Sequence, residues 1–72
     1  MNTTKPTDAR LLASHLAATR PGEFEVMRTP DVADATDMLA DGRKRGHRWA
    51  VALVGGTYIV LDLHAATEAG AL

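Results

Sequence analysis

The stretch WAVALV-GG-TYIVLDL, residues 49–63, decides the fold of this chain. Two runs rich in β-branched and aromatic residues flank a pair of glycines, and a type I′ turn needs positive φ at both of its central positions. We therefore predict a β-hairpin with Gly55 and Gly56 as its loop. A two-residue loop also determines the cross-strand pairs, which are Trp49–Asp62, Ala50–Leu61, Val51–Val60, Ala52–Ile59, Leu53–Tyr58 and Val54–Thr57.

This register gives the hairpin two different faces. Small alanines opposite large aliphatic side chains indicate the face that packs on helices, which consists of Ala50, Ala52, Val54, Ile59, Leu61 and Leu63. The other face carries Trp49, Val51, Leu53, Tyr58 and Val60. Because two helices do not easily cover both sides of a sheet, we expect this second face to be exposed and to mediate self-association as a homodimer. The alternative is that the helices divide between the two faces.

Upstream of the hairpin, the sequence predicts a helix followed by a strand. Apolar residues recur at helical spacing between Thr7, the predicted N-cap, and Thr19, and Pro21 prevents the helix from continuing. The apolar residues are Leu11, Leu12, Leu16 and several alanines. Alternation over residues 23–28 then predicts a half-buried strand, with Phe24 and Val26 on one face and Glu23, Glu25 and Met27 on the other.

A second helix is predicted to begin at the Thr-Pro-Asp sequence of residues 29–31. Thr29 would be the N-cap, proline would take the first helical position, and the aspartate would lie in the first turn. The helix is expected to end at Gly42 or, one turn later, at Gly46. Its apolar stripe is Val32, Ala35 and Leu39, flanked by Ala33, Met38 and Ala40.

These elements predict a small single α+β domain in the order α-β-α-β-β. Its three-stranded sheet is expected to be mainly antiparallel, with the first strand beside the third because antiparallel pairs outnumber parallel ones. A flexible tail over residues 1–7 precedes the compact domain of residues 8–63. Residues 64–72 are expected to form a C-terminal tail that either frays or holds a short helical turn.

The composition narrows the classes of protein to consider. A chain of 72 residues has room for one domain, and the absence of cysteine excludes disulfides and thiolate chemistry. The net charge of −1 does not by itself indicate nucleic acid or membrane as a partner. Because the first residues are polar and no apolar run approaches the ~20 residues needed to span a bilayer, we expect a cytoplasmic protein.

The residues that carry catalysis in other proteins are few in this sequence. Ser14 and His15 are adjacent, and neighbours on a helix point about a hundred degrees apart, so they do not form a catalytic dyad. Asp62 and His64 are two apart on a predicted strand, which offers two metal ligands and no third. We therefore predict a protein that is not an enzyme and that has no catalytic residues, cofactor or metal.

A basic segment follows the second helix and ends beside Trp49. It consists of Arg43, Lys44, Arg45 and Arg48, with His47 between them. Cations next to an aromatic ring can bind single-stranded nucleic acid through phosphate pairing and base stacking. The other interpretation is that the cations complement the dipole at the end of a helix. A nucleic-acid-binding regulator is therefore our alternative functional prediction.

An acidic row follows the second helix at spacings of three or four residues. Its members are Asp31, Asp34, Asp37 and Asp41. Such a row is either the solvated face of the helix or a surface that meets a basic partner. We expect the second, in a non-enzymatic interaction module whose partner is another protein, and a nucleic-acid-binding complex is one candidate. Small domains of this design are typical of phage or mobile-element inhibitors of host defence enzymes, including CRISPR inhibitors.

Overall fold

The computed structural model describes residues 6–72, and these residues form three helices and one three-stranded sheet. Along the chain the elements are α1 (Pro6–Thr19), β1 (Glu25–Thr29), α2 (Val32–Lys44), β2 (Trp49–Val54), β3 (Thr57–Asp62) and α3 (Leu63–Glu68). Residues 1–5 of the predicted tail and the side chain of Thr7, the predicted cap, lie outside the described part of the chain. Helix α1 begins one residue before that cap.

The sheet has the strand order β1-β3-β2, and both neighbouring pairs are antiparallel. This confirms the predicted α+β class and the predicted position of the first strand beside the third. All six predicted pairs of the β2–β3 hairpin are observed. Gly55 and Gly56 have φ of 56° and 81°, the positive values that a type I′ turn needs at both positions.

Helices α1 and α3 pack with one face of the sheet to form the core. The buried residues of this core are Ala13, Leu16, Ala50, Ala52, Ile59, Leu61, Leu63 and Ala66. The alanines of β2 allow α1 to lie close to the strand, as the hairpin pattern predicted. Val54, which was expected in the core, is instead exposed at the hairpin tip, and Leu11, one of the apolar residues at helical spacing, lies on the outer side of α1.

Helix α3 follows β3 directly and was not among the two predicted helices. Asp62 is its N-cap, because its Oδ1 accepts a hydrogen bond of 3.0 Å from the backbone N–H of Ala65. Gly70, with φ of 76°, follows the C-cap and lets the chain reverse. Leu63, which was predicted to lie in the core, is buried at the start of this helix. Ala66 is also buried, so the segment predicted as a fraying tail or a short helical turn forms a helix that contributes to the core.

A β-bulge in β1 changes the predicted faces of that strand. Glu25 pairs with Leu61 and Met27 pairs with Val60. A step of two residues along β1 therefore matches a step of one residue along β3, and Val26 is the extra residue. Glu25 and Met27 therefore point to opposite faces, whereas simple alternation placed them together. The bulge also brings Glu25 and Arg28 onto the same face, where their side chains form an ion pair of 2.6 Å.

Helix α2 covers the face of the sheet opposite α1, and this corrects the prediction that the second face is exposed. Val60 is completely buried, and Trp49, Val51 and Tyr58 are half-buried. Leu53 alone among the five predicted self-association residues is mostly exposed, at 60 %. The two long helices thus divide between the two faces, which was the alternative interpretation.

Candidate interaction surfaces

The start of α2 uses one of the four predicted partner-binding carboxylates. Asp31, rather than Thr29, is the N-cap, and its Oδ1 accepts a hydrogen bond of 2.9 Å from the backbone N–H of Ala33. Thr29, two residues before Asp31, is buried, and its hydroxyl oxygen accepts a hydrogen bond of 3.1 Å from the backbone N–H of Asp31. Pro30 consequently lies before the helix instead of at its first position.

The remaining carboxylates of the acidic row differ in their surroundings. Asp41 is half-buried and forms an ion pair with Arg45 at 3.2 Å. Asp34 and Asp37 are exposed, and neither forms an ion pair within residues 6–72. At about 100° per residue, Asp34, Asp37 and Asp41 lie along one side of α2. The structure therefore leaves Asp34 and Asp37 available to a partner.

The other end of α2 is closed by a Schellman motif. Gly46, with φ of 81°, takes the left-handed position after the C-cap, which confirms the later of the two predicted ends. The N–H of His47 donates to the carbonyl of Gly42 at 2.8 Å, and the N–H of Gly46 donates to that of Arg43 at 3.1 Å. These bonds fix the direction in which the chain leaves the helix toward β2.

Trp49 packs directly on α2 at Gly42. A Cβ atom at Gly42 would lie 2.8 Å from Trp49 Cδ2, which is closer than two non-bonded carbon atoms approach each other. The imidazole of His47 stacks on the indole with a centroid distance of 4.7 Å and an interplanar angle of 1°. The indole Nε1 is buried and has no hydrogen-bond partner among the described residues. Trp49 is thus a structural contact between α2 and the sheet.

The basic segment forms one exposed corner around this contact. Arg43 and Lys44 occupy the last turn of α2, and Arg48 precedes β2. In the described part of the chain these three cations form no ion pair. Beside them is a polar hollow of about 160 Å³, lined by Gly46, His47, Arg48, Asp62 and His64. Basic residues in the last turn of a helix also complement its dipole.

A larger groove of about 550 Å³ lies beside α2 at the β2 side of the sheet. Its lining consists of Arg10, Ser14, Val32, Ala35, Thr36, Leu39, Val51, Leu53 and Tyr58. Three of the predicted self-association residues are therefore in this groove, while Trp49 and Val60 lie under α2. The pattern of alternating side chains indicated their shared face, but only the position of α2 shows which of them reach solvent.

The side chains considered for catalysis and metal binding form no complete catalytic or metal-binding cluster among residues 6–72, although Asp62 and His64 line the same hollow. Ser14 and His15 are both exposed on α1. His64 belongs to α3 rather than to a strand, and its Nε2 faces Glu68 at 3.5 Å, while Asp62 caps that helix. Among residues 6–72 there is no cluster of three or more side chains suited to holding a metal ion. The helices of this same range are too short or too polar to cross a membrane.

Comparison of the chain with protein-family models gave no matching family, and comparisons with curated proteins and with solved structures gave no match. The function is therefore inferred from the surfaces of this chain.

Proposed function

We propose that this chain is a non-enzymatic protein-interaction module, a small inhibitor or regulator that binds a basic surface of its partner through α2. The observation that supports this function is that two aspartates of the acidic row have partners within the chain and two do not have one among the described residues. Asp31 and Asp41 have intramolecular partners, whereas Asp34 and Asp37 are exposed without one in residues 6–72. The two exposed carboxylates are the ones we assign to the partner.

Helix α2 presents these carboxylates on a fixed platform. Its first turn is capped by Asp31, its last turn is closed at Gly46, and Gly42 packs on Trp49. Residues three apart on a helix are about 5–6 Å from each other, so Asp34 and Asp37 can pair with two neighbouring cations. Because the helix is already ordered, little conformational entropy is lost when the partner binds.

Zero-length crosslinking tests this proposal directly. A carbodiimide joins carboxylates to lysine amines that are in contact, and all four aspartates of the row fall in the single tryptic peptide 29–43. We expect crosslinks between this peptide and lysines of one partner protein in a lysate of the source cells. Fragment spectra should place the new amide bond at Asp34 or Asp37.

Two double variants distinguish the available carboxylates from the structural ones. Asp34→Asn with Asp37→Asn should abolish the crosslinks, whereas Asp31→Asn with Asp41→Asn should retain them, because asparagine is also a good N-cap. Both variants remove the same charge. If the two variants lose the crosslinks equally, only the net charge of the row matters and the assignment is wrong. Crosslinks located at Asp31 or Asp41 would also overturn the assignment.

A second candidate function, nucleic-acid binding, is favoured by the basic segment at the end of α2. Arg43, Lys44 and Arg48 are close in sequence to the stacked His47–Trp49 pair and form no ion pair in the described residues. Fluorescence anisotropy with a short single-stranded oligonucleotide tests it. Each phosphate contact in single-stranded nucleic acid should give a slope of about −0.7 in log affinity against log salt. Changing the three cations to Ser should remove the binding, and unchanged binding would exclude this corner.

A further inference from the structure

The large groove runs around the free edge of the sheet. Its lining includes Arg10 and Ser14 from α1 and Val32 and Leu39 from α2, although these helices pack on opposite faces. A groove that touches both helices must pass the border of the sheet, and two of the three strand residues in its lining, Val51 and Leu53, belong to β2, which is an edge strand in the order β1-β3-β2. The third, Tyr58, belongs to the neighbouring strand β3. The groove therefore lies along the β2 side of the sheet, where the outer edge of β2 is unpaired.

The register identifies the backbone groups on that edge. The N–H of Leu63 donates to the carbonyl of Arg48, and these residues continue the β2–β3 pairing by one step beyond Trp49. Hydrogen-bonded pairs alternate along an antiparallel ladder, so the backbone of Ala50, Ala52 and Val54 faces β3. The N–H and C=O groups of Trp49, Val51 and Leu53 consequently point outward, away from the ladder.

This edge lacks the features that usually protect an edge strand. Residues 49–54 contain no charged residue and no proline, and the side chain of Leu53 is 60 % exposed. The groove also gives side-chain contacts on both sides of the strand. Such an edge, with pockets beside it, is the arrangement that accepts an added strand from another protein.

We infer that the β2 edge binds an extended segment of a partner protein as a fourth strand, with apolar side chains in the groove and a carboxylate at Arg10. The choice of partner follows from charge. Arg10 is the one charged residue in the lining. Asp34, Asp37 and Asp41 lie on the opposite side of α2 from the groove-lining residues of that helix. Arg10 forms no ion pair among the described residues, and a carboxylate of the added strand would supply a counter-charge that an uncharged or basic strand would not.

This inference rests on the proposed interaction function but uses a different surface, so the two can fail separately. The probe is a C-terminally amidated peptide, Thr-Val-Thr-Val-Thr-Val-Asp, labelled with fluorescein at its N-terminus, and its matched control, also amidated, has Lys in place of Asp. We expect the Asp peptide to bind and to slow hydrogen exchange at the amides of Val51 and Leu53 by about tenfold or more. The inward-facing amides of Ala50 and Ala52 should change much less.

A charge exchange tests the role of Arg10. In the Arg10→Glu variant, the affinity for the Asp peptide should fall by about tenfold and the affinity for the Lys peptide should rise. The reason is that Glu at position 10 repels the Asp side chain and attracts the Lys side chain. Arg48→Glu, a matched change outside the groove, should leave both affinities unaltered. Leu53→Lys, at an exposed position, should weaken both peptides without unfolding the chain.

Three results would overturn the inference. The first is that hydrogen exchange at the amides of Val51 and Leu53 does not slow at millimolar peptide. The second is that the Asp and Lys peptides bind with equal affinity, both to the unaltered chain and to the Arg10→Glu variant. The third is a concentration-dependent dimer in light scattering that Leu53→Lys abolishes, because a second copy would then occupy the edge. Asp34→Asn with Asp37→Asn should leave peptide binding unchanged, which separates failure of this site from failure of the acidic row.

Discussion

Gly42 and Trp49 are in direct contact, and a Cβ atom on Gly42 would lie 2.8 Å from Cδ2 and 2.9 Å from Cζ3 of the indole. This contact places α2 against the sheet at the point where the chain returns from the Schellman motif to β2. It also explains why a glycine is found inside a helix, where it is normally unfavourable. The sequence suggested Gly42 as a helix end, but its role is to admit the tryptophan.

Gly42→Ala should therefore destabilise the protein, although alanine normally favours a helix by about 1 kcal/mol relative to glycine. The new methyl group overlaps the indole, and overpacking of this kind costs about 1–3 kcal/mol. Urea denaturation followed by circular dichroism measures the change. In a Trp49→Leu background the same substitution should be neutral or stabilising, and an equal loss in both backgrounds would show that the two residues do not interact.

The hairpin loop should accept asparagine and reject β-branched residues. Gly55 has φ of 56°, a conformation that Asn adopts at little cost and Val does not. We expect Gly55→Asn to remain within about 0.5 kcal/mol of the original stability and Gly55→Val to lose about 1–3 kcal/mol. Equal stability of the two variants in urea denaturation would argue against a type I′ turn.

The cap of α3 provides a test of whether residues 63–68 belong to the core. Asp62→Ala removes the acceptor for the N–H of Ala65 and should cost about 0.5–2 kcal/mol, while Asp62→Asn should keep most of the stability. Hydrogen exchange at Ala66 should accelerate in the alanine variant in step with global unfolding. Rapid exchange at Ala66 in the unaltered chain would show that α3 opens independently.

The Glu25–Arg28 pair should give the stability a dependence on acid pH. The hydrogen bond from the Arg28 guanidinium lowers the pKa of Glu25, and their charge attraction acts in the same direction. This contribution is therefore complete above the unfolded pKa of about 4.3 and is lost as the pH falls through the lower folded pKa. Arg28→Met should narrow the difference between the urea midpoints at pH 7 and pH 3. Arg43→Met, which removes a cation without an ion pair in the described residues, should narrow it less.

Local patterns in the sequence predicted the sheet well because the hairpin is a short-range structure. Two glycines between β-branched runs determine the turn, and the turn determines all six pairs of β2 and β3. The bulge at Glu25 was not predictable in the same way, because it depends on how β1 fits against β3. Helix α3 was predicted only as one of two alternatives for the tail, because its six residues are stabilised by the Asp62 cap and by burial of Leu63, not by periodicity.

The candidate site was predicted in outline and not in detail. Helical spacing alone places the four aspartates of residues 31–41 in one row, but it cannot show that Asp31 is a cap or that Asp41 pairs with Arg45. The hairpin pattern indicated that Val51, Leu53 and Tyr58 share a face, but it could not show that they line a groove with Arg10. The groove is formed by side chains from both long helices, and Arg10 is separated from Leu53 by most of the chain.

The measurement that tests the central claim most directly is the affinity of the crosslinked partner for α2 variants, determined by calorimetry at two salt concentrations. Asp34→Asn with Asp37→Asn should weaken the complex by about 2–5 kcal/mol and reduce its salt dependence, because both carboxylates lose cationic partners. Asp31→Asn with Asp41→Asn, which removes the same charge, should change the affinity by less than about 1 kcal/mol. Equal affinities for the original chain and the Asp34/Asp37 variant would contradict the account and show that this side of α2 is only a solvated surface.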